Sequence, residues 1–260
     1  MRSGALVFPA EGLLGYRLER VDTIGSTSDA CIERAKAGEP DGLAILARVQ
    51  TKARGSRGRD WSAPLGNLML SVLLRPLDAV EGAGAGQWAL LAGLALVEAL
   101  AEFDIAPALL TLKWPNDVLR DEAKLAGVLI DAAMTTDGTM DWLVIGVGAN
   151  LAVAPPVEGR RVATIASHEG TPPTADSVAV RFLDRIAHWR DRLAENGFAP
   201  IRAAWLSHAH PIGTPVTIRQ GDRTRAGIFA GLSPEGALLL LADGEIHAIS
   251  TGDVLMGQGG

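Results

Sequence analysis

One cysteine in 260 residues, Cys31, rules out an internal disulfide, and without a C-x-x-C pair there is no thiolate clamp for zinc or redox exchange. The residue reads as a small buried hydrophobe. Positive charge is also short: 24 basic residues face 30 acidic ones, a net charge of −6, so the chain has no global attraction for phosphate backbones. Nucleic acid would need a local basic patch. The uncharged, mostly apolar stretch from Gly82 to Val97 is shorter than the roughly 20 residues that span a bilayer, and glycines break it. Residues 1–14 hold one arginine and no sustained apolar core, so no secretory signal is read, and the expected compartment is the cytoplasm with no membrane partner. Internal repeats and low-complexity tracts are missing too. What is present, 48% hydrophobic and 21% charged residues, supports one sizeable core and a small second one, and excludes disorder.

Ser26 to Gly38 has a polar start, a helix-forming run and a glycine stop, with Ser28 and Asp29 placed to accept from the first free amides. Leu43 to Val49 and Asn67 to Leu74 read as strands, Gln87 to Phe103 as an apolar helix against a sheet. Further strands are expected at Leu109 to Lys113, Gly127 to Ala133 and Trp142 to Val147. Val178, Phe182, Ile186, Trp189 and Leu193 form one apolar stripe, which predicts a helix over Thr174 to Asn196 that Gly197 ends. After His210-Pro211 the texture changes to short β-like runs at Pro215 to Arg219, Arg225 to Ala230, Ala237 to Leu241 and Glu245 to Ser250, with Gly-Asp, Pro-Glu-Gly and Asp-Gly turns between them. This predicts two domains, 1–210 and a small β-barrel over 211–260.

The loop from Gln50 to Trp61 packs Lys52, Arg54, Arg57 and Arg59 with Gly55 and Gly58 between two apolar strands. Glycines allow close backbone approach, arginine forks suit phosphate and carboxylate, and Trp61 offers a cover for an apolar ligand or nucleobase. A solvated basic hairpin is the bland alternative, and an RNA-binding Arg-Gly segment fits poorly with the acidity and the absence of interleaved aromatics. A second cluster, Lys113-Trp114-Pro115-Asn116-Asp117, sits at a strand end. Its Asn and Asp serve equally well as a turn pair. Lys124-Leu125-Ala126-Gly127 opens the next strand, and a hairpin would bring that ammonium to the Asp117 turn. Gly146-Val147-Gly148-Ala149-Asn150 ends another strand without a G-x-G-x-x-G pattern, so a dinucleotide fold is not indicated. His208 and His210 lack a third metal ligand nearby, and Arg160-Arg161 is a loop pair without context.

Taken in order, these residues resemble the biotin–protein ligases, in the form without a DNA-binding region. The likeness runs from Ser26-Thr27-Ser28 through the arginine-glycine loop, Gly66-Asn67-Leu68, Lys113 to Asp117, Lys124 to Gly127 and Gly148 to Asn150 to the C-terminal barrel. It implies an α+β fold: a mixed β-sheet catalytic domain with packed helices, followed by an SH3-like β-barrel. It also implies the reaction, in which ATP activates the biotin carboxylate to biotinyl-5′-adenylate, and the biotinyl group then passes to a lysine of a biotin carboxyl carrier protein. Magnesium is expected to accompany the ATP.

The resemblance makes Lys124, Arg59 and Asp117 the catalytic set, with Asp117 also the candidate metal ligand. Biotin falls to Ser26, Thr27, Ser28, Gln50, Arg54, Gly55, Ser56, Lys124 and Gly127. The nucleotide falls to Arg57, Arg59, Trp61, Lys113, Trp114, Asn116, Asp117 and Asn150. Three positions depart from the family pattern: Ala53 stands where a glycine is usual, Ser56 where the second arginine is usual, and Ser28 where the family has asparagine. Loss of the guanidinium at Ser56 predicts either substitution by Arg57 or a more loosely held adenylate. A lipoate or octanoate ligase and a catalytically silent biotin-binding module are the competing functions. A DNA-binding repressor is not expected, since 25 residues precede Ser26, too few for a helix-turn-helix domain. Homodimer formation through a sheet edge stays open.

Overall fold

The computed structural model describes residues 6–7, 15–55, 58, 61–62, 64–75, 84–103, 110–165 and 171–256. Strands β1 (Leu6–Val7) and β2 (Arg17–Ile24) precede helix α1 (Thr27–Lys36), β3 (Leu43–Gln50) and β4 (Leu68–Leu74). Helix α2 (Ala85–Ala101) leads to β5 (Leu110–Lys113), β6 (Asp117–Arg120), β7 (Ala123–Met134) and β8 (Met140–Ala149). Helices α3 (Ala175–Asn196) and α4 (Ala199–Ser207) follow. The chain then forms β9 (Pro215–Gln220), β10 (Arg223–Leu232), β11 (Leu238–Ala242), β12 (Glu245–Ile249) and β13 (Asp253–Met256).

The first eight strands form a mixed sheet in the order β1-β2-β3-β4-β8-β7-β6-β5. Its parallel pair, β2 with β3, needs a crossover, and α1 supplies it. Strand β4 is buried on both faces, because Leu68, Leu70, Val72 and Leu74 pack under α2 and α3 while Leu73 meets Cys31 of α1 on the opposite side. The amphipathic stripe of α3 forms as its spacing predicts, capped by Thr174, and Trp189 donates its indole N–H to Glu98 of α2 at 2.9 Å. Cys31 is fully buried, and burial pushes its thiol up to about 12, so it is a packing residue.

Helix α1 begins inside the expected span, at Thr27, but its cap is not Ser28. Ser26 is its N-cap, with Oγ accepting from the Asp29 N–H at 3.2 Å, whereas Ser28 turns inward onto the sheet. The strand that ends at Lys113 does not pair directly with the one that Lys124 opens: β6 lies between them, pairing Asp117 with Lys113 of β5 on one side and with Gly127 of β7 on the other, and Leu119 with Lys124. Five strands at the C-terminal end make an antiparallel sheet in the order β12-β11-β10-β9-β13, which leaves β12 and β13 as open edges. Its Val216, Phe229 and Leu238 join the same hydrophobic cluster as Trp114 and Trp205, so the core runs without a break from one sheet to the other. Among the described residues no helix is long and apolar enough to cross a membrane.

Candidate active site

A cleft of about 280 Å³ opens on the α1 side of the large sheet. Its floor is a chain of hydroxyls. Gln50 Oε1 accepts from the Thr27 backbone N–H at 2.7 Å and from Thr27 Oγ1 at 3.1 Å. Ser71 Oγ, on β4, lies 2.8 Å from Thr27 Oγ1 and 3.0 Å from Ser28 Oγ. Thr27, Ser28 and Ser71 are buried and Gln50 is half-buried, so these groups satisfy one another and can re-aim a hydroxyl toward a small polar ligand. Space above them exists because β8 carries glycines: a Cβ on Gly146 would stand 2.6 Å from Ser28 Oγ, and one on Gly148 would stand 2.7 Å from the Trp61 ring.

On one wall, the Lys124 ammonium donates to Asp117 Oδ1 at 2.5 Å, and Lys113 Nζ lies 3.3 Å from Asp117 Oδ2. Lys124 Nζ also sits 5.5 Å from the centre of the Trp61 ring, within cation–π range. Gly127 makes room for it, since a Cβ there would fall 3.3 Å from Nζ. Burial pushes the Lys124 ammonium below the usual lysine range, Asp117 partly restores it, and the positive charges of Lys113 and Arg160 act in the same direction as burial. Burial works to raise Asp117, but the two ammonium groups outweigh it and hold the carboxyl below the usual range. The result is a desolvated cation, aimed at the cleft, whose charge a buried carboxylate sustains.

The far end is built by Asn67, whose Oδ1 accepts from the backbone N–H groups of Leu151, Ala152 and Val153, each at 3.1 Å. Its Nδ2 donates to the Val153 carbonyl at 2.8 Å and to Asn150 Oδ1 at 3.3 Å, which fixes the Asn150 side chain at the cleft. A buried ammonium, a hydroxyl floor and a carboxamide end together suit a ligand with a carboxylate, a polar head and a nitrogenous base.

Comparison with known proteins decides the family. Residues 22–150 match the biotin/lipoate A/B protein ligase family and residues 212–257 the biotin protein ligase C-terminal domain. The biotin–[acetyl-CoA-carboxylase] ligase of Paracoccus denitrificans is 36% identical over 220 residues, 82% of this chain and 90% of that protein. The enzyme of the same name from Mycobacterium tuberculosis is 32% identical over 250 residues, 93% of this chain and 90% of that one. Among solved structures, the biotin protein ligase from Aquifex aeolicus in complex with biotin and ATP superposes with a TM-score of 0.76 at 29% identity, covering 92% of this chain and 97% of that one.

The chain belongs to the biotin protein ligase family.

Of the residues that the sequence nominates in this ligase, the cleft gathers Ser26, Thr27, Ser28, Gln50, Arg54, Gly55, Trp61, Asn116, Lys124, Gly127 and Asn150 in its lining. Asp117 and Lys113 stand behind Lys124 rather than in the lining. Ser56, Arg57 and Arg59 lie outside the described residues. Arg54 faces two carboxylates, Asp29 Oδ1 at 2.5 Å and Asp131 Oδ1 at 2.7 Å, so it ties its loop to α1 and β7. Asn116 braces its turn: its Nδ2 donates to the Val128 carbonyl at 2.6 Å, and the Val128 N–H returns to the Asn116 carbonyl at 2.9 Å.

Two nominated residues stand outside the cleft lining and face other groups. Trp114 does not reach the cleft, because its indole N–H donates to the Gly236 carbonyl of the C-terminal sheet at 3.1 Å and its ring is buried between the two sheets. Asp117 turns both of its oxygens to ammonium groups, Oδ1 to Lys124 and Oδ2 to Lys113. Among the described residues no three His, Cys, Asp or Glu side chains gather to hold a metal. Sequence reasoning missed Ser71, Glu158 and Arg160, which line the cleft without a motif around them. The alternation of β4 singles out Ser71, a hydroxyl on an otherwise apolar buried strand.

Proposed function

We propose that this cleft binds biotin and ATP, joins them as biotinyl-5′-adenylate, and passes the biotinyl group to a lysine of a biotin carboxyl carrier protein. The observation that carries the reading is the buried Lys124 ammonium, supported by Asp117 and covered by Trp61, at the junction of a hydroxyl-lined pocket and the Asn150 end.

Biotin enters with its ureido head toward Ser26, Thr27, Gln50 and Ser71, and its carboxylate meets Lys124. The nucleotide lies toward Asn150. One carboxylate oxygen attacks the α-phosphorus, the α–β phosphoanhydride bond breaks, and pyrophosphate leaves with the electron pair. The lysine amine of the carrier then attacks the acyl carbon, AMP departs, and the amine loses a proton. No covalent bond to the enzyme forms in either step. Lys124 contributes by holding the carboxylate in line and by neutralising charge on the acyl oxygen as the mixed anhydride forms, a fixed cation in a site with little water. Asp117 sustains that charge, and Lys113 holds the second oxygen of the same carboxylate. Trp61 shields the ligand.

Incubation of the full chain with biotin, ATP, magnesium and a purified carrier domain tests the reading. A mass increase of one biotinyl group on the carrier lysine is expected. An unmodified carrier in the presence of all reactants, or modification by lipoate or octanoate in preference to biotin, would overturn it.

A further inference from the structure

Arg160 lines the same cleft, and among the described residues it has neither an ion-pair partner nor a side-chain hydrogen bond. The neighbouring cations are engaged: Arg54 by Asp29 and Asp131, Lys124 and Lys113 by Asp117. Arg160 is nonetheless firmly mounted. Its N–H donates to the Val157 carbonyl at 3.1 Å across a turn in which Gly159 takes φ +69°. The segment after it is clamped to the lysine itself: Lys124 N–H donates to the Arg161 carbonyl and the Ala163 N–H to the Lys124 carbonyl, both at 2.9 Å. Lys124 and Val162 thereby form a parallel bridge, so the backbone that carries the exposed Arg160 side chain is tied, two residues on, to the backbone of the residue that receives the carboxylate.

The reaction needs a second cation at this place. A carboxylate held by Lys124 must approach a triphosphate of the same sign, and negative charge then accumulates on the departing pyrophosphate. A guanidinium fork matches phosphate oxygens in pairs, and Arg160 has no carboxylate to give up before it can do so. Glu158, the acidic group on the same turn, faces the cleft beside it. The arginine-glycine loop carries Ser56 at one of the positions where the family usually has a guanidinium.

We propose that Arg160 is a catalytic residue of the first half-reaction, which binds the β- and γ-phosphates of ATP and stabilises the leaving pyrophosphate. This rests on the assignment of biotin activation to the cleft.

The test is a continuous pyrophosphate-release assay on the full chain with biotin and ATP, alongside calorimetric titration with biotin alone. Arg160→Ala is expected to raise KM for ATP about tenfold, equivalent to about 1.4 kcal/mol. It should weaken product inhibition by inorganic pyrophosphate by the same factor and leave biotin affinity unchanged. Arg160→Lys, which keeps the charge and loses the fork, should recover part of the loss. An unaltered KM and pyrophosphate inhibition in Arg160→Ala, with adenylation by the wild type intact, would overturn this assignment alone. So would a parallel loss of biotin affinity, which would show a disturbed cleft instead of a lost phosphate contact. A wild-type chain that makes no biotinyl-adenylate would overturn the functional reading together with it.

Discussion

The ammonium of Lys124 lies 2.5 Å from Asp117 Oδ1, in a wall that buries the carboxylate and leaves the lysine partly open to the cleft. Burial pulls the lysine down from its usual range and the carboxylate holds it up, so its charge depends on the pair. Adenylation should therefore fall on an alkaline limb below the ordinary lysine value of 10.5. Lys124→Arg should lose that limb, and Asp117→Asn should move it to lower pH because the group that sustains the charge is gone. A pH profile of pyrophosphate release checks both; a limb that stays put in Asp117→Asn would contradict the coupling.

The same carboxylate makes stability depend on acid. Its folded pKa is depressed, so the unfolded chain binds more protons in the window between the two values, and stability rises with pH there. The contribution is present above the unfolded carboxylate value of 3.8 and is lost as pH falls through the folded one. Urea midpoints measured from neutral pH down into this window should decline less steeply in Asp117→Asn than in the wild type.

Gly148 leaves room for an indole. A Cβ there would come within 2.7 Å of Trp61, so Gly148→Ala should displace the ring and remove the cover over Lys124. Biotin affinity is expected to drop about tenfold, the loss of roughly one apolar cover and one cation–π contact. Calorimetry gives the affinity, and near-ultraviolet circular dichroism reports the displaced tryptophan.

Much of this arrangement is legible in the sequence, and the illegible parts have physical causes. The α3 stripe and the five-strand texture at the C-terminal end are strong periodic signals. Strand β2 escapes notice because it lies near the sheet edge, where Leu18 is its sole buried residue among charged neighbours such as Arg17, Glu19 and Arg20. The β6–β7 turn is hidden for another reason: Asp121 and Glu122 both take positive φ, a conformation usually marked by Asn-Gly. Motif order points to Lys124, Asp117 and the Thr27 to Gln50 contact. Trp114 misleads, since its motif gives no sign that the ring faces the C-terminal sheet. Partners that lie far away in sequence, such as Asp131 for Arg54 or Ser71 for Thr27, carry no local signal at all.

Asn67 is a test of that hidden scaffolding. It is 2% exposed, and its carboxamide accepts three backbone N–H groups and donates to the Val153 carbonyl and Asn150. Asn67→Ala should cost about 3 kcal/mol, since several buried polar groups lose their partner at once. Urea denaturation measures it.

Trp114→Phe separates packing from ligand binding. The substitution keeps a ring between the two sheets and strands the Gly236 carbonyl, a loss of about 1 kcal/mol in unfolding free energy. KM for ATP should not move; an increase would return Trp114 to the nucleotide site.

The most direct measurement is mass-spectrometric detection of acyl-adenylate after the full chain is mixed with ATP, magnesium and, in separate tubes, biotin, lipoate or octanoate, with Lys124→Ala run in parallel. Biotinyl-adenylate from the wild type, reduced about a hundred- to a thousandfold in Lys124→Ala and absent with the other acids, is the expected result. Equal amounts of biotinyl-adenylate from the two proteins would contradict the role given to Lys124, and none from the wild type would contradict the activity itself.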